Sequence, residues 1–344
     1  AELFSAREVP CDPDVETVMQ ASLDTVRRHR DKGTLLDDHR KITATTLDDL
    51  GTAGYWGLLV DRQYGGSGTS FAQFARFLTR MATVDPTIAG LASVHGCIGA
   101  VDPLLGFGND EQKERLLPVL ARGERISAFA LTEPGAGSDL QGVKTTAVKN
   151  GDHYVLNGSK TFITNGQLAD VVIVVAKTDP KEGAKGISLF MVETAWEGFE
   201  KGQNLNKVGM KAQDTSELFF QDVKVPADNL LGSMEGQGFF QLMQELPAER
   251  LQVALTAVAA AEAAWQWTLD YVKERKAFGK PVIAFQNTRF KLAEIKAQSV
   301  MLRVFTDKCL EMHVAGELDA VDAAMGKMLT SEALCRCQGL EHRV

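Results

Sequence analysis

Cysteine is scarce in this 344-residue sequence, and its pattern is poorly suited to a disulfide scaffold. The five cysteines are Cys11, Cys97, Cys309, Cys335 and Cys337, an odd and scattered set that favours a reducing compartment. Cys335 and Cys337 form a close pair, but no second pair accompanies them. We therefore interpret them as ordinary helix residues and predict no metal site.

Positive charge is also in deficit, and this disfavours nucleic-acid binding. Lys and Arg number 37 against 45 for Asp and Glu, which gives a formal net charge of −8. Phosphate backbones bind to basic surfaces, so we predict no nucleic-acid partner. The deficit does not exclude an anionic small molecule, because a few local cations are enough for one site.

Several functional signatures are absent from the sequence. It contains no G-x-S-x-G, no H-E-x-x-H and no G-x-x-x-x-G-K-[ST], so simple hydrolase, zinc-peptidase and P-loop interpretations are unsupported. The apolar stretch 251–265 is interrupted by Gln252, Thr256 and Glu262, and we predict no transmembrane segment. The first residues lack the basic-then-apolar pattern of a secretory signal, although the sequence begins without Met.

Length and hydrophobic periodicity predict three domains. At about 100–200 residues per domain, the chain has room for two or three. Residues 1–125 are predicted to be helical, with helices over 15–30, 38–53 and 71–84 and another from Asn109 to Leu120. Residues 231–344 are again helical, with Pro247 in a first helical turn and further helices over 287–314 and 319–337.

The middle of the chain, residues 126–230, has a different pattern. Three Asn-Gly pairs, at 150–151, 157–158 and 165–166, are typical of tight hairpin turns. Strand-like segments lie between and after them, at 153–156, 160–163, 170–176, 187–192 and 217–225. The predicted fold is therefore α+β and multidomain: N-terminal helices, a middle antiparallel sheet or small β-barrel, and a C-terminal helical bundle.

An unusual turn follows Phe129, where the sequence reads FALTEPGAGSD to Asp139. Gly135 and Gly137 allow close approach of a ligand to the backbone, and Ser138 offers a polar side chain. The spacing is not that of a Rossmann fingerprint. On these residues alone, a structural turn and a ligand-binding loop both stay open.

Four ordered segments resemble the acyl-CoA dehydrogenase family and extend the likeness over nearly the whole chain. They are 132–139 (TEPGAGSD), 157–166 (NGSKTFITNG), 209–215 (GMKAQDT) and 275–280 (RKAFGK) with Phe285-Gln286. The resemblance implies the helix, β-barrel, helix fold of that family and the cofactor FAD.

The resemblance also implies roles for particular residues. Those matched to the flavin ring are Phe129, Leu131, Thr132, Gly137 and Ser138 from the first motif and Phe162, Ile163 and Thr164 from the second. Ser138 also matches a residue that binds the acyl-CoA. Arg275, Phe278 and Gln286 match residues that reach the FAD of a neighbouring subunit, which implies a homotetramer or homodimer.

The family's reaction requires a carboxylate base. Many members carry it near the C-terminus, before a Y-x-G-T-like stretch that this sequence does not contain. The segment 246–251 (LPAERL) instead resembles the long-chain and isovaleryl types, which makes Glu249 the implied base and Arg250 a contact for the CoA portion. From the residues alone, an acid in a helix first turn is the favoured explanation of Glu249, and the resemblance reverses that preference. Glu262, on the apolar stripe, is a rival base, or pairs with a cation inside the bundle.

The implied function is FAD-dependent oxidation of a long-chain acyl-CoA to the trans-2-enoyl-CoA, with electrons passed to an electron-transferring flavoprotein. Two explanations stay open for the alanines that follow the implied base at helical spacing: they leave room for a long acyl chain, or they are helix-forming residues only. These alanines are Ala254, Ala257 and Ala261. Alternatives are a flavin oxidase or monooxygenase on the same fold, or an inactive acyl-CoA-binding chain. The expected location is the cytoplasm of a bacterium or the mitochondrial matrix of a eukaryote. Because relatives continue further, we expect the C-terminal bundle to be incomplete, with apolar surface exposed.

Overall fold

The computed structural model describes residues 11–341, and the backbone alone for Gln338, Leu340 and Glu341. The chain divides into two compact units. The α/β unit contains residues 11–70 and 84–245, and the helical unit contains residues 71–83 and 246–341. The division of the sequence into domains at 1–125, 126–230 and 231–344 stays a prediction.

Four of the five α-helices described for the α/β unit start at a residue whose side chain caps the helix, and the helix Val101–Phe107 is the exception. The five are α1 (Pro13–Asp31), α2 (Ala44–Thr52), α4 (Pro86–Ser93), α5 (Val101–Phe107) and α6 (Asp110–Ala121), while α3 (Phe71–Val84) lies almost wholly in the helical unit. The predicted start at Asn109 is confirmed by a capping box, in which Asn109 and Gln112 bond each other's backbone N–H. The helix predicted over 38–53 is wrong before Ala44. Leu36 bridges Ile42 there, and the Asp37 carboxylate accepts two backbone N–H bonds that close a turn.

One segment corrects the expectation about apolar runs. Residues Pro86–Phe107 form a helical stretch of 22 residues that is long and apolar enough to cross a membrane by length and composition. It comprises α4, a π-helical segment at Val94–Gly99, and α5. Because 67% of its most apolar window is buried inside the α/β unit, the stretch has the character of a core helix, and the likeness to a membrane span is weak.

Seven strands form one sheet in the α/β unit. They are β1 (Ser127–Ala130), β2 (Thr146–Asn150), β3 (His153–Thr164), β4 (Val171–Lys177), β5 (Ile187–Glu193), β6 (Phe199–Asn204) and β7 (Thr215–Pro226). The order is β1-β4-β2-β3-β7-β6, with β5 paired to β4. The middle β domain is thus present, but its pairing is mixed and not purely antiparallel, because β1 and β2 pair with β4 in parallel.

The three Asn-Gly pairs have different outcomes. Asn150-Gly151 makes the predicted hairpin between β2 and β3. Asn157-Gly158 does not turn the chain: β3 continues through it with a register shift against β7. Asn165-Gly166 begins the connection from β3 to β4, which are not neighbours in the sheet.

The central strand β4 is buried on both faces, which explains its continuous apolar sequence. Val171, Ile173 and Val175 pack in one cluster with side chains from α5 and α6. The alternate residues of the strand pack in a second cluster with Phe190 and Phe220. Burial on both faces therefore accounts for the absence of polar residues from Val171 to Ala176.

The helical unit consists of three long helices and α3. The long helices are α7 (Gly238–Glu274), α8 (Gln286–Val314) and α9 (Ala320–Glu341), and α7 belongs to this unit from Leu246 onward. Two short strands, β8 (Lys276–Ala277) and β9 (Lys280–Pro281), lie between α7 and α8. The prediction that Pro247 begins a helix is wrong, because α7 begins at Gly238 and contains Pro247. Its core includes Leu251 and Leu255 of α7 packed with Cys309 and Leu310 of α8.

Candidate functional site

The first two sequence motifs meet in the α/β unit. The backbone N–H of Thr161, on β3, donates to the carbonyl oxygen of Thr132 at 2.9 Å. The Lys160 ammonium donates to the carbonyl of Leu131 at 3.0 Å. The segment after β1 therefore lies directly beside the last residues of β3. This contact places Leu131 and Thr132 near Phe162 and Ile163, as their shared predicted role requires.

A buried ion pair lies under this contact. Lys160 Nζ is 2.8 Å from Glu133 Oε1, and the two side chains are 0% and 6% exposed. Burial lowers the pKa of Lys160 to about 8, although Glu133 opposes that shift. Burial alone would raise the pKa of Glu133, but the Lys160 ammonium and the amides of Thr145 and Lys144 outweigh it and lower the pKa below its usual range. Both residues lie within the first two motifs, but the sequence alone predicts no role for either.

The glycine-rich turn is open on its outer side. Glu133 and Ala136 exchange backbone hydrogen bonds of 3.0 and 3.1 Å, which closes the turn, and Gly135, Gly137 and Ser138 are exposed. A Cβ added to Gly135 or Gly137 would meet no described atom within 4 Å. These glycines are therefore not required by packing within the described chain, and they leave the backbone of the turn open to close approach by a ligand.

The end of β3 combines strain with apolar exposure. Phe162 has a φ of 59° and is 65% exposed, whereas the next residue, Ile163, is 2% exposed. Thr164 is half-buried. A bulky residue with left-handed backbone is uncommon, and strain of this kind concentrates at functional sites. An exposed aromatic side chain beside threonines and open glycines fits a planar cofactor with an aromatic ring and polar edges.

The third motif is attached to the same region. Asp214, which is 4% exposed, accepts the backbone N–H of Gln167 at 2.6 Å, just after the Asn165-Gly166 turn. Burial raises the pKa of Asp214, and the bonds from backbone N–H groups partly oppose this. The Lys201 ammonium donates to the carbonyls of Gln167 and Ala169 at 2.8 and 2.7 Å. These bonds hold the chain that leaves the Phe162–Thr164 strip.

Glu249 and Arg250 lie on α7 in the helical unit, and both are half-buried. Their assignment as base and CoA contact stays a prediction. The rival, Glu262, forms a two-point ion pair in which Arg303 donates at 2.6 and 3.2 Å, so the cation-pairing interpretation is confirmed. Of two other glutamates on the same helix, Glu274 is exposed and Glu245 is half-buried.

A further predicted group forms the connection between α7 and α8. Arg275 follows α7 and is exposed, and its carbonyl accepts the N–H of Val282 at 2.8 Å. Phe278, at the tip of the β8–β9 hairpin, is 95% exposed and has a φ of 51°. Gln286 is the first residue of α8. All three thus lie within or at the ends of the connection between α7 and α8, in the helical unit.

The Cys335–Cys337 pair shows no sign of a metal site. Cys335 is exposed, whereas Cys337 is buried against Ala261 and Ile295. Across residues 11–341, no group of three or more His, Cys, Asp or Glu side chains is placed to hold a metal ion.

Comparison with known proteins identifies the family. Models of the acyl-CoA dehydrogenase N-terminal, middle and C-terminal domains match residues 15–124, 128–223 and 236–340. The mitochondrial long-chain specific acyl-CoA dehydrogenase of Sus scrofa is 47% identical over 294 residues, which cover 85% of this chain and 68% of that protein. The chain belongs to the acyl-CoA dehydrogenase family.

Other relatives widen the comparison. The short-chain specific acyl-CoA dehydrogenase of Megasphaera elsdenii is 40% identical over 303 residues, covering 87% of this chain and 79% of that protein. A crystal structure of an acyl-CoA dehydrogenase from Geobacillus kaustophilus superposes with a TM-score of 0.89 at 38% identity, covering 98% of this chain and 89% of the other. A glutaryl-CoA dehydrogenase from Mycobacterium smegmatis, solved in complex with FADH2, has a TM-score of 0.84 at 27% identity, covering 96% and 84%.

Membership confirms the predicted fold class, with helical N-terminal and C-terminal regions around a β region. It also confirms the predicted enzyme class and cofactor: this acyl-CoA dehydrogenase is a FAD-dependent oxidoreductase of fatty-acid metabolism. The exposed Phe162, the open glycines of the 132–139 turn and the half-buried threonines are the features of this structure that fit FAD.

Proposed function

We propose that this acyl-CoA dehydrogenase oxidises a long-chain acyl-CoA to the trans-2-enoyl-CoA and passes the electrons to an electron-transferring flavoprotein. One observation carries the proposal: Thr161 and Lys160 bind the Leu131–Thr132 segment beside the exposed Phe162. Two segments that resemble flavin-lining motifs thus lie side by side, although 28 positions separate Thr132 from Lys160 in the sequence.

The residues of the α/β unit hold the cofactor in this proposal. Phe129, Leu131, Thr132, Gly137 and Ser138 line one part of it. Phe162, Ile163 and Thr164 line another, and Ser138 also contacts the acyl-CoA. When bound, FAD supplies the oxidant that takes up the β hydrogen together with its electron pair. Backbone N–H groups and threonine hydroxyls, held in fixed directions, stabilise the negative charge that develops in such a reaction.

Glu249 is the proposed base. Its carboxylate accepts the α proton of the thioester, so the Cα–H electron pair becomes the second bond between the α and β carbons as the β hydrogen leaves. Such a proton is weakly acidic, so the carboxylate must be shielded from bulk water to be basic enough. Glu249 is half-buried on α7, which is compatible with that need. Arg250 is the proposed contact for the CoA portion.

The proposed preference for long chains rests on similarity to the relative from Sus scrofa, since a short-chain relative is also similar. The alanines after the base give little support. Ala254, Ala257 and Ala261 are 1%, 6% and 2% exposed, and Ala261 packs against Ile295. At least at Ala261, core packing in the helical unit explains the small residue. Chain length therefore has to be measured with substrates.

Anaerobic absorbance spectra of the purified chain test the proposal. We expect a flavin spectrum that palmitoyl-CoA bleaches strongly and butyryl-CoA weakly, and faster reduction of a dye when an electron-transferring flavoprotein is added. Equal bleaching by both substrates would contradict the long-chain preference. Rapid oxygen consumption with palmitoyl-CoA would favour an oxidase, and a chain that retains no FAD would contradict catalysis altogether.

A further inference from the structure

We infer that Glu133 and Lys160 form a positioning pair that sets the affinity for FAD by fixing the two flavin-lining segments to each other. The inference rests on the proposed function, because the roles of Leu131, Thr132 and Phe162 are taken from it. Neither charged group is assigned to the cofactor itself. The pair acts through the backbone that it holds.

Two residues of β3 bind the segment that follows β1. The Lys160 ammonium donates to Leu131 O at 3.0 Å and to Glu133 Oε1 at 2.8 Å. Between them, Thr132 O accepts from Thr161 N at 2.9 Å. Three successive residues of one segment are thus bound by two successive residues of the other, immediately before the strained Phe162.

The Glu133 carboxylate also anchors the glycine-rich turn. Glu133 Oε2 accepts the backbone N–H of Lys144 at 2.6 Å, and Glu133 Oε1 accepts that of Thr145 at 3.0 Å. The carboxylate therefore joins the two ends of the stretch 133–145, which includes Gly137 and Ser138. Through Lys160, the same carboxylate is attached to β3. Three chain segments converge on one pair of side chains.

The Glu133–Lys160 pair contributes more to the direction of hydrogen bonds than to stability. With 0% and 6% of the side chains exposed, both charges have lost their water, and a buried ion pair often adds little stability over an apolar pair of the same size. Stability alone is thus a weak reason for the pair. Apolar side chains at these two positions could not form the directional hydrogen bonds to backbone groups that Glu133 and Lys160 form. The Glu262–Arg303 pair differs, since its side chains are 34% and 24% exposed and join two helices only.

The test uses the full-length chain with Lys160→Met, Glu133→Gln and the double variant. The control is Tyr154→Phe, which removes a bond of 2.6 Å to Glu235 from a buried side chain on the same strand. We measure FAD dissociation by titrating protein freed of flavin, and the reduction potential of the bound flavin. Thermal unfolding of the flavin-free protein reports stability separately.

Both single variants are expected to weaken FAD binding about tenfold or more, the range for losing a charge-assisted bond. Both should also lower the reduction potential, because loosened N–H donors stabilise the reduced flavin less well. The double variant should lose no more than the worse single variant, since the pair acts as a unit. Tyr154→Phe should lower thermal stability without changing FAD affinity.

Unchanged FAD affinity in both folded single variants would overturn the inference. So would potential shifts of opposite sign, which would indicate the field of the remaining charge instead of positioning. If the single variants do not fold, the double variant decides the test, because it leaves no unpaired buried charge. FAD affinity and reduction potential equal to those of the wild type would overturn the inference. Weakened FAD binding would support it. If the wild-type chain binds no FAD, the proposed function fails instead.

Discussion

At the scale of single residues, Glu249 has the most demanding proposed role, because its carboxylate has to remove a weakly acidic proton. Glu249→Gln keeps the size of the side chain but removes the group proposed to take the α proton. We expect turnover to fall by about 10³-fold, within the range for losing a general base. FAD content should stay unchanged, because Glu249 is not among the residues proposed to contact FAD. Stopped-flow measurement of flavin bleaching by palmitoyl-CoA checks both points.

Glu262→Gln is the matched control, since Glu262 lies on the same helix and is bound by Arg303. That variant should lose some stability and retain most of its turnover. A Glu249→Gln enzyme with near-normal bleaching would end the assignment. Loss of bleaching only in Glu262→Gln would transfer the role of base to Glu262.

His95 gives a prediction about pH. The ring is 1% exposed in the π-helical segment, its Nδ1 accepts the N–H of Ser127 at 3.1 Å, and its Nε2 lies 3.2 Å from the carbonyl of Leu120. Burial lowers its pKa from 6.5 to about 4. Between pH 4 and 6.5 the imidazole is protonated in the unfolded chain but neutral in the folded chain. Lowering the pH through this range therefore favours the unfolded chain, so the free energy of unfolding is not reduced by His95 above pH 6.5 and falls as the pH drops to 4. The loss amounts to about 3 kcal/mol of the free energy of unfolding.

Urea unfolding at several pH values, compared with His95→Gln, isolates this contribution from those of the carboxylates. Glutamine keeps an acceptor for the Ser127 N–H but does not titrate. The variant should be less stable at pH 7, with a smaller loss of stability between pH 6.5 and 4 than the wild type shows. Parallel pH profiles for the two proteins would show that His95 is not the titrating group.

At the scale of elements, the bulge in β3 explains why a glycine follows Asn157. Gly158 has a φ of 153°, and a Cβ there would lie 2.4 Å from Thr145 Oγ1 and 2.8 Å from the Thr145 backbone. We expect Gly158→Ala to reduce the free energy of unfolding by about 2 kcal/mol or more, through strain and a clash with backbone. Urea unfolding of the flavin-free protein measures the change.

Gly135→Ala is the control, because a Cβ at Gly135 meets no described atom within 4 Å. Its unfolding free energy should change by less than about 0.5 kcal/mol. Equal effects of the two substitutions would show that the close approach between β3 and Thr145 does not constrain the strand.

The same dipeptide shows how far local sequence predicts an element. Asn150-Gly151 and Asn157-Gly158 carry the same turn signal, yet only the first makes a hairpin, because the second lies where β7 pairs along the whole of β3. Pro247 was predicted to start a helix for a local reason, and α7 runs through it. By contrast, the boundaries of α3 and α8 followed from periodicity to within one residue, since no distant partner competes with their helical pattern.

The site was predicted to a similar degree. The motif residues were found because four segments resemble motifs of a known family, and such a resemblance can be seen without knowing which residues are buried. The roles of Glu133, Lys160 and Asp214 were not, because each depends on the loss of water and on partners from distant segments. The one sign of these roles in the sequence was the presence of charged residues inside the motifs. A buried charge must have a partner, and the sequence does not say which one.

At the scale of the whole molecule, two phenylalanines share an uncommon combination of features. Phe162 in the α/β unit and Phe278 in the helical unit both have left-handed backbone and are 65% and 95% exposed. Exposed aromatic side chains held in strained conformations indicate binding surfaces. The family resemblance matches Phe278 to a residue that reaches the FAD of a neighbouring subunit, and we propose on this basis that the enzyme is a homo-oligomer.

Phe278→Ala should therefore change FAD retention without changing the stability of the subunit. The side chain is almost fully exposed, so its removal should alter the free energy of unfolding of the flavin-free protein by less than about 0.5 kcal/mol. FAD should dissociate more readily, and the difference from wild type should be largest at high protein concentration, where the wild type is assembled. Light scattering and flavin fluorescence over a dilution series measure assembly and retention together. Val148→Ala, at a 62% exposed position on β2, should change neither. If Phe278→Ala retained FAD like the wild type at every concentration, the hairpin would have no part in a shared site.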